Sequence, residues 1–137
     1  MRKLRFAIET PPGTWMSEVS SSFPETEFRL LTGITVGEAA IELGEITGAA
    51  VGEAAAAFEA HPDIGDHEEL YAGTERVLAK YRTTERSLYG FLREASVPPE
   101  FPVVVADGRA TFEVTATREQ VRELHATLEG APLAYEV

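Results

Sequence analysis

The chain has no cysteine, which excludes disulfides and every chemistry that needs a thiolate, as nucleophile or as metal ligand. It is nearly without lysine: only Lys3 and Lys80 occur, and the other basic residues are arginines. No apolar run approaches the roughly 20 residues of a membrane-spanning helix. Met1-Arg2-Lys3 leads straight into alternating residues rather than into the apolar segment of a secretion signal. A soluble, cytoplasmic protein without a membrane partner is the expectation. Phosphate-cradling fingerprints are also missing. Gly33, Gly37, Gly44, Gly48 and Gly52 show neither G-x-G-x-x-G nor G-x-x-x-x-G-K spacing, and Glu53 would repel a phosphate at the one glycine placed to open a helix. No serine stands in a nucleophile elbow. The chain therefore reads as non-enzymatic, with no cofactor expected.

What it has in excess is acid. The 137 residues include 23 Asp and Glu against 12 Lys and Arg, a formal net charge of −11. An acidic, lysine-poor composition resembles that of proteins from salt-accumulating archaea. At about 1 M salt the Debye length falls to ~3 Å, so repulsion that would strain the fold in dilute buffer is screened. The same charge argues against this stretch itself gripping nucleic acid, because that affinity comes mostly from Lys and Arg neutralising phosphates.

Periodicity divides the chain into two similar sets. Leu4, Phe6 and Ile8 alternate with polar or small residues, and the pattern returns at Val77, Ala79 and Tyr81. Ile41 and Leu43 pair with Phe112 and Val114, and the run from Phe58 to Pro62 with that from Leu128 to Pro132, in a repeat of about seventy residues. In the first set, strands are expected over 3–9, 27–31, 40–46 and 65–71. A Gly33–Gly37 loop joins the middle two. A short helix after Thr14 carries Trp15, Val19 and Phe23 on one stripe, and a second helix follows Gly52. Trp15 and Met16 read as core rather than as a docking point. In the second set, strands are expected over 76–82, 101–106, 109–115 and 133–137. Asp107-Gly108 is a two-residue hairpin turn. A helix after Thr84 carries Leu88, Phe91, Leu92 and Ala95, and Thr117 with Gln120 forms a capping box before Val121, Leu124 and Leu128. Each set is a βαββαβ unit. The fold expected is α+β: a tandem ferredoxin-like or ACT-like duplication, units 1–72 and 73–137, with antiparallel sheets covered by helices on one face. Units of this size share a core.

The residues then resemble a known family. Arg2 through Gly13, Phe28-Arg29-Leu30-Leu31-Thr32-Gly33, His61-Pro62 and Glu69-Leu70-Tyr71 look like haloarchaeal regulators of the bacterio-opsin-activator type. So do Thr84 through Glu94 and Pro98 through Val105. The resemblance spans nearly the whole chain but rests on scattered structural positions, without a catalytic signature. It implies a sensory or dimerising region of a transcription regulator, expected to form homo-oligomers and to answer to an unidentified small-molecule effector. In that family such a region precedes a DNA-binding helix-turn-helix, here expected after residue 137, so that DNA would be met only through that domain. The chain then reads as an excised N-terminal domain or as a stand-alone homologue.

Two places carry candidate chemistry. His61, Asp63, Asp66 and His67 bring imidazoles and carboxylates close in sequence, ligands suited to a divalent metal, though in no recognised spacing; a solvated loop is the favoured reading. Arg76, Lys80 and Arg82 share one strand face with Leu78, a candidate anion or partner surface, against the reading of an exposed face balanced by Glu75, Glu85 and Glu94. His125 is expected to be half-exposed. The alternatives are a small-molecule-binding ferredoxin-like enzyme, with a pocket near His61–His67 or Tyr89, and a stand-alone structural interaction module.

Overall fold

The computed structural model describes residues 2–84, 97, 99–130 and 135–136. The elements run β1 Arg2–Glu9, α1 Trp15–Ser22, β2 Thr26–Val36, β3 Ala39–Gly48, α2 Val51–Ala60 and β4 Ile64–Ala72. They continue with β5 Arg76–Thr83, β6 Glu100–Ala106, β7 Arg109–Ala116, α3 Arg118–Gly130 and β8 Tyr135–Glu136. The helix expected after Thr84 lies outside the described residues.

Local chemistry accounts for most boundaries. Thr14 caps α1, its hydroxyl accepting the Ser17 N–H at 3.3 Å, and the helix stops before Pro24. Thr117 and Gln120 form the expected reciprocal capping box of α3, at 2.9 and 3.2 Å. Asp107 and Gly108 both take positive φ, 45° and 78°, the backbone of a hairpin turn whose twist suits the flanking strands. Thr10 locks that turn by donating from its N–H and its hydroxyl to the Gly108 carbonyl, while the Gly108 N–H donates to Ser20 Oγ at 2.8 Å.

The expected Gly33–Gly37 loop is not a loop. β2 continues to Val36, β3 begins at Ala39, and Gly37-Glu38 is the turn between them. The strand passes through Gly33 because an irregularity between Leu30 and Thr32 resets its register against β3.

All strands join one antiparallel sheet of order β4-β5-β3-β2-β6-β7-β1-β8. The expectation of separate sheets gives way to this continuous one. Its centre is a narrow seam in which β2 meets β6 through Phe28–Val105, Arg29–Val104 and Leu30–Val103. β1 lies between β7 and β8, and β5 between β3 and β4. Each half of the sheet thus contains one strand from the other part of the chain. α1 packs on β2, β6 and β7, bridging the seam, and α2 packs on β3, β4 and β5.

Strand pairing also sets which residues of β3 and β7 lie on the covered face. β1 pairs Phe6 with Phe112 and Leu4 with Val114, just as β5 pairs Ala79 with Gly44 and Val77 with Ile46. Gly44 and Ile46 thus lie on the covered face, as Phe112 and Val114 do. Ile41 and Leu43, expected to answer to Phe112 and Val114, point to the opposite face, since neighbours along a strand alternate.

The core lies between the sheet and the helices, and its two halves are filled from different sides. On β1 and β7, Phe6 stacks on Phe112 with ring centroids 5.7 Å apart. On β5 and β3 the facing pair is Ala79 and Gly44, and the Tyr81 ring lies over Gly44, 3.0 Å from where a Cβ would stand. Trp15 packs edge-on to Phe58 at 4.8 Å, and Phe58 edge-on to Tyr81 at 4.7 Å, geometries favoured by the ring quadrupole. Only about 10 Å³ stays unfilled among them. Trp15 and Met16 are both buried, as core residues.

Candidate functional site

Alternation along the strands makes the second face of the sheet a surface with its own composition. In β5, Val77, Ala79, Tyr81 and Thr83 point under the helices, which leaves Arg76, Leu78, Lys80 and Arg82 on the open side. In β3 the inward set is Ala40, Glu42, Gly44 and Ile46, so Ile41, Leu43 and Glu45 face outward. Cross-strand pairing sets Leu43 beside Lys80 and Thr32, and Ile41 beside Arg82 and Ile34. Ile34, Ile41, Leu43 and Leu70, with Thr32 and the Lys80 stem, line an open concavity of about 420 Å³. Ile34 is 62% exposed, and Leu70 and Tyr71 are each 48% exposed. Large apolar side chains are thus exposed close together on this face.

The three cations that β5 puts on this face are held differently. Arg76 donates through Nε to Glu45 and lies over the Tyr71 ring, 5.7 Å from its centroid. Glu45 also approaches Arg29 at 3.8 Å. Lys80 stands opposite Glu68 on β4, and Arg82 opposite Gly65. Arg76 is thus engaged within its own sheet, whereas Lys80 and Arg82 flank the apolar concavity.

The histidines and carboxylates near residue 61 are distributed between separate structural tasks. Asp63 accepts the Trp15 N–H at 2.8 Å and so caps α1 from a distant part of the chain. Its own N–H donates to His61 Nδ1 at 3.1 Å. That bond makes Nδ1 the acceptor and leaves Nε2–H to donate to Glu18 at 2.8 Å. His67 instead approaches Glu59 at 3.7 Å and tilts against Phe58. Asp66 takes positive φ, 48°, in a bulged part of β4. The fold does not bring the four residues onto one centre, and among the described residues no cluster of three or more potential ligands is formed. Tyr89 lies outside the described residues. His125 is half-buried, as expected.

The other half of the open face is polar. Where β6 bulges away from β7 between Glu100 and Val104, a concavity of about 380 Å³ opens beside Lys3, Arg5, Pro102 and Glu113. Lys3 bridges Glu113 at 3.2 Å and Glu100 at 3.4 Å. Hydrogen bonds that the Lys3 ammonium donates to Glu113 and then to Glu100 raise its pKa above the ordinary value. Glu100 is lowered, chiefly by the Thr115 hydroxyl, which donates to it at 2.7 Å, and next by Lys3. For Lys3 and Glu100 alike the shift favours the charged form.

Sequence reading missed one residue of the interior. Glu42 is buried at 1% exposure, facing the covered side opposite Tyr81. The two-residue alternation from Ala40 to Ile46 was the available signal. No helix among the described residues is long and apolar enough to cross a membrane. No protein-family model matches this chain, and neither a curated protein nor a solved structure matches it.

Proposed function

We propose that this chain is a non-catalytic regulatory module, sensory or dimerising, of an archaeal transcription regulator whose DNA contacts are made by another domain. The observation that carries the reading is the open sheet face, which presents an apolar concavity and flanking cations, while Asp63 near residue 61 is spent on capping α1. The sequence resemblance to bacterio-opsin-activator-type regulators points the same way, and the net charge of −11 disfavours direct DNA binding.

The fold is read at finer grain as a tandem of ferredoxin-like units with exchanged first strands. Each unit would have the order fourth, first, third, second; the sheet runs β4-β5-β3-β2 and then β6-β7-β1-β8, with β5 and β1 in each other's places. Neither half of the sheet is complete without a strand from the other part of the chain. Occupancy of the open face would act by population shift, favouring one placement of the attached domain over another.

The test is a titration of the 137-residue chain against genomic fragments from its host, at the salt concentration that keeps it folded. No sequence-specific retardation is expected. A tight, competitor-resistant shift would overturn the reading.

A further inference from the structure

We infer that the open face of the sheet is covered by a second copy of this chain, sheet packed on sheet across a two-fold axis. This deepens the dimerising arm of the regulatory reading by naming the surface and its occupant.

Charge supports it first. A chain at −11 resists meeting its own copy unless the meeting surfaces leave the acid elsewhere. In the apolar half, the open face carries Arg29, Arg76, Lys80 and Arg82 against Glu27, Glu45 and Glu68. In the polar half it carries Lys3, Arg5 and Arg109 against Glu9, Glu100 and Glu113. The face is close to neutral, with the signs interleaved. Among the described side chains, Arg118 and Arg122 are the only basic ones elsewhere, so the acid surplus lies on the helical side and the edges. Two copies that meet sheet to sheet keep that surplus pointing outward. A meeting of helical faces would bring it together.

Area supports it second. With strands ~4.8 Å apart and ~3.3 Å of rise per residue, an antiparallel sheet of this size offers roughly 1,000 Å² of face. A stable interface needs about 800 Å² per partner. Part of such a contact is already apolar. Ile34, Ile41, Leu43 and Leu70 form one patch, and Val36, 44% exposed, continues it at the β2–β3 tip. Apolar area bordered by charge is the usual interface anatomy. Sheets packed in this way lie about 10 Å apart, close enough to close the concavity.

The experiment measures the mass of the full chain by light scattering and sedimentation, in about 1 M KCl to screen the net charge. A mass near twice 14.9 kDa is expected. Ile34→Glu and Leu43→Glu, both on the open face, should each weaken the dimer by roughly 30-fold or more, with an unchanged circular dichroism spectrum. Ala126→Glu, on the exposed side of α3, should leave the mass unchanged. Because the chain has no cysteine, Ile41→Cys supplies a second readout: a short thiol cross-linker should join two copies through it. A monomer at every concentration, whether or not it captures another protein, overturns the inference. So does a dimer untouched by both glutamates. The measurement uses no DNA, so such a failure would leave the test of the regulatory reading standing.

Discussion

At the scale of single residues, the local demands of the backbone are sharp enough to give opposite signs to the same substitution. Gly48 ends β3 with φ 108°, and a Cβ built there would lie 2.6 Å from the Glu25 carbonyl oxygen. Gly48→Ala should therefore destabilise the protein by roughly 1–3 kcal/mol, from strained backbone and an unavoidable shift of the neighbouring chain. Gly52, near the start of α2, has ordinary φ and open space where a Cβ would go. Gly52→Ala should be neutral or stabilising by up to about 1 kcal/mol, because alanine loses less freedom on entering a helix. Denaturant unfolding in high salt checks both, and a loss of stability at Gly52 would contradict the argument. Sequence alone named both glycines as turn or helix-opening residues but gave no reason to separate them. The distance to Glu25 is a tertiary fact.

At the scale of elements, turn and cap chemistry was readable because it is local. Thr14, the Asp107-Gly108 turn and the Thr117/Gln120 capping box each depend on residues within a few positions, and each forms as expected. The second cap on α1 was not readable, since Asp63 reaches the Trp15 N–H from the far side of α2. Two oxygens, Thr14 Oγ1 and Asp63 Oδ2, thereby satisfy two of the four N–H groups that any helix start leaves open. Asp63→Ala should lower stability by about 1 kcal/mol, the usual loss of a cap, while Asp63→Asn keeps an acceptor and should lose less. Equal losses for the two variants, measured by thermal unfolding, would show that the contact is incidental. The same residue explains why the histidines near it form no metal centre. Its backbone N–H occupies His61 Nδ1, and the bulged start of β4 turns His67 toward Glu59 instead.

At the scale of the whole molecule, charge and topology set the behaviour. With a formal net charge of −11, the folded chain should lose stability on transfer from about 1 M KCl into dilute buffer, as the screening length grows from ~3 Å to tens of ångströms. A melting temperature that falls steadily with dilution is the expected outcome; one indifferent to salt would remove the halophilic reading of the composition. Topology makes the two halves interdependent. β1 runs in register along β7 from Arg2–Ala116 to Glu9–Arg109, and β5 along β3 from Arg76–Thr47 to Thr83–Ala40. The chain must therefore bring together strands far apart in sequence before either half of its core closes, which makes folding depend on long-range contacts.

The sequence by itself determined the α+β class, most element positions and the inward and outward faces of β5. Those follow from a period of two or 3.6 and from short-range hydrogen bonds. It also placed Trp15 in the core and Arg76, Lys80 and Arg82 on one face. Only the tertiary structure decided that one continuous sheet forms among the described strands, that β1 lies between β7 and β8 and β5 between β3 and β4, and that Gly44 faces the covered side while Ile41 faces the open one. Strand pairing is chosen by packing across the whole sheet, and the strand order shows how little sequence proximity constrains it: alternation says which face a side chain takes, but not which strand will lie beside it.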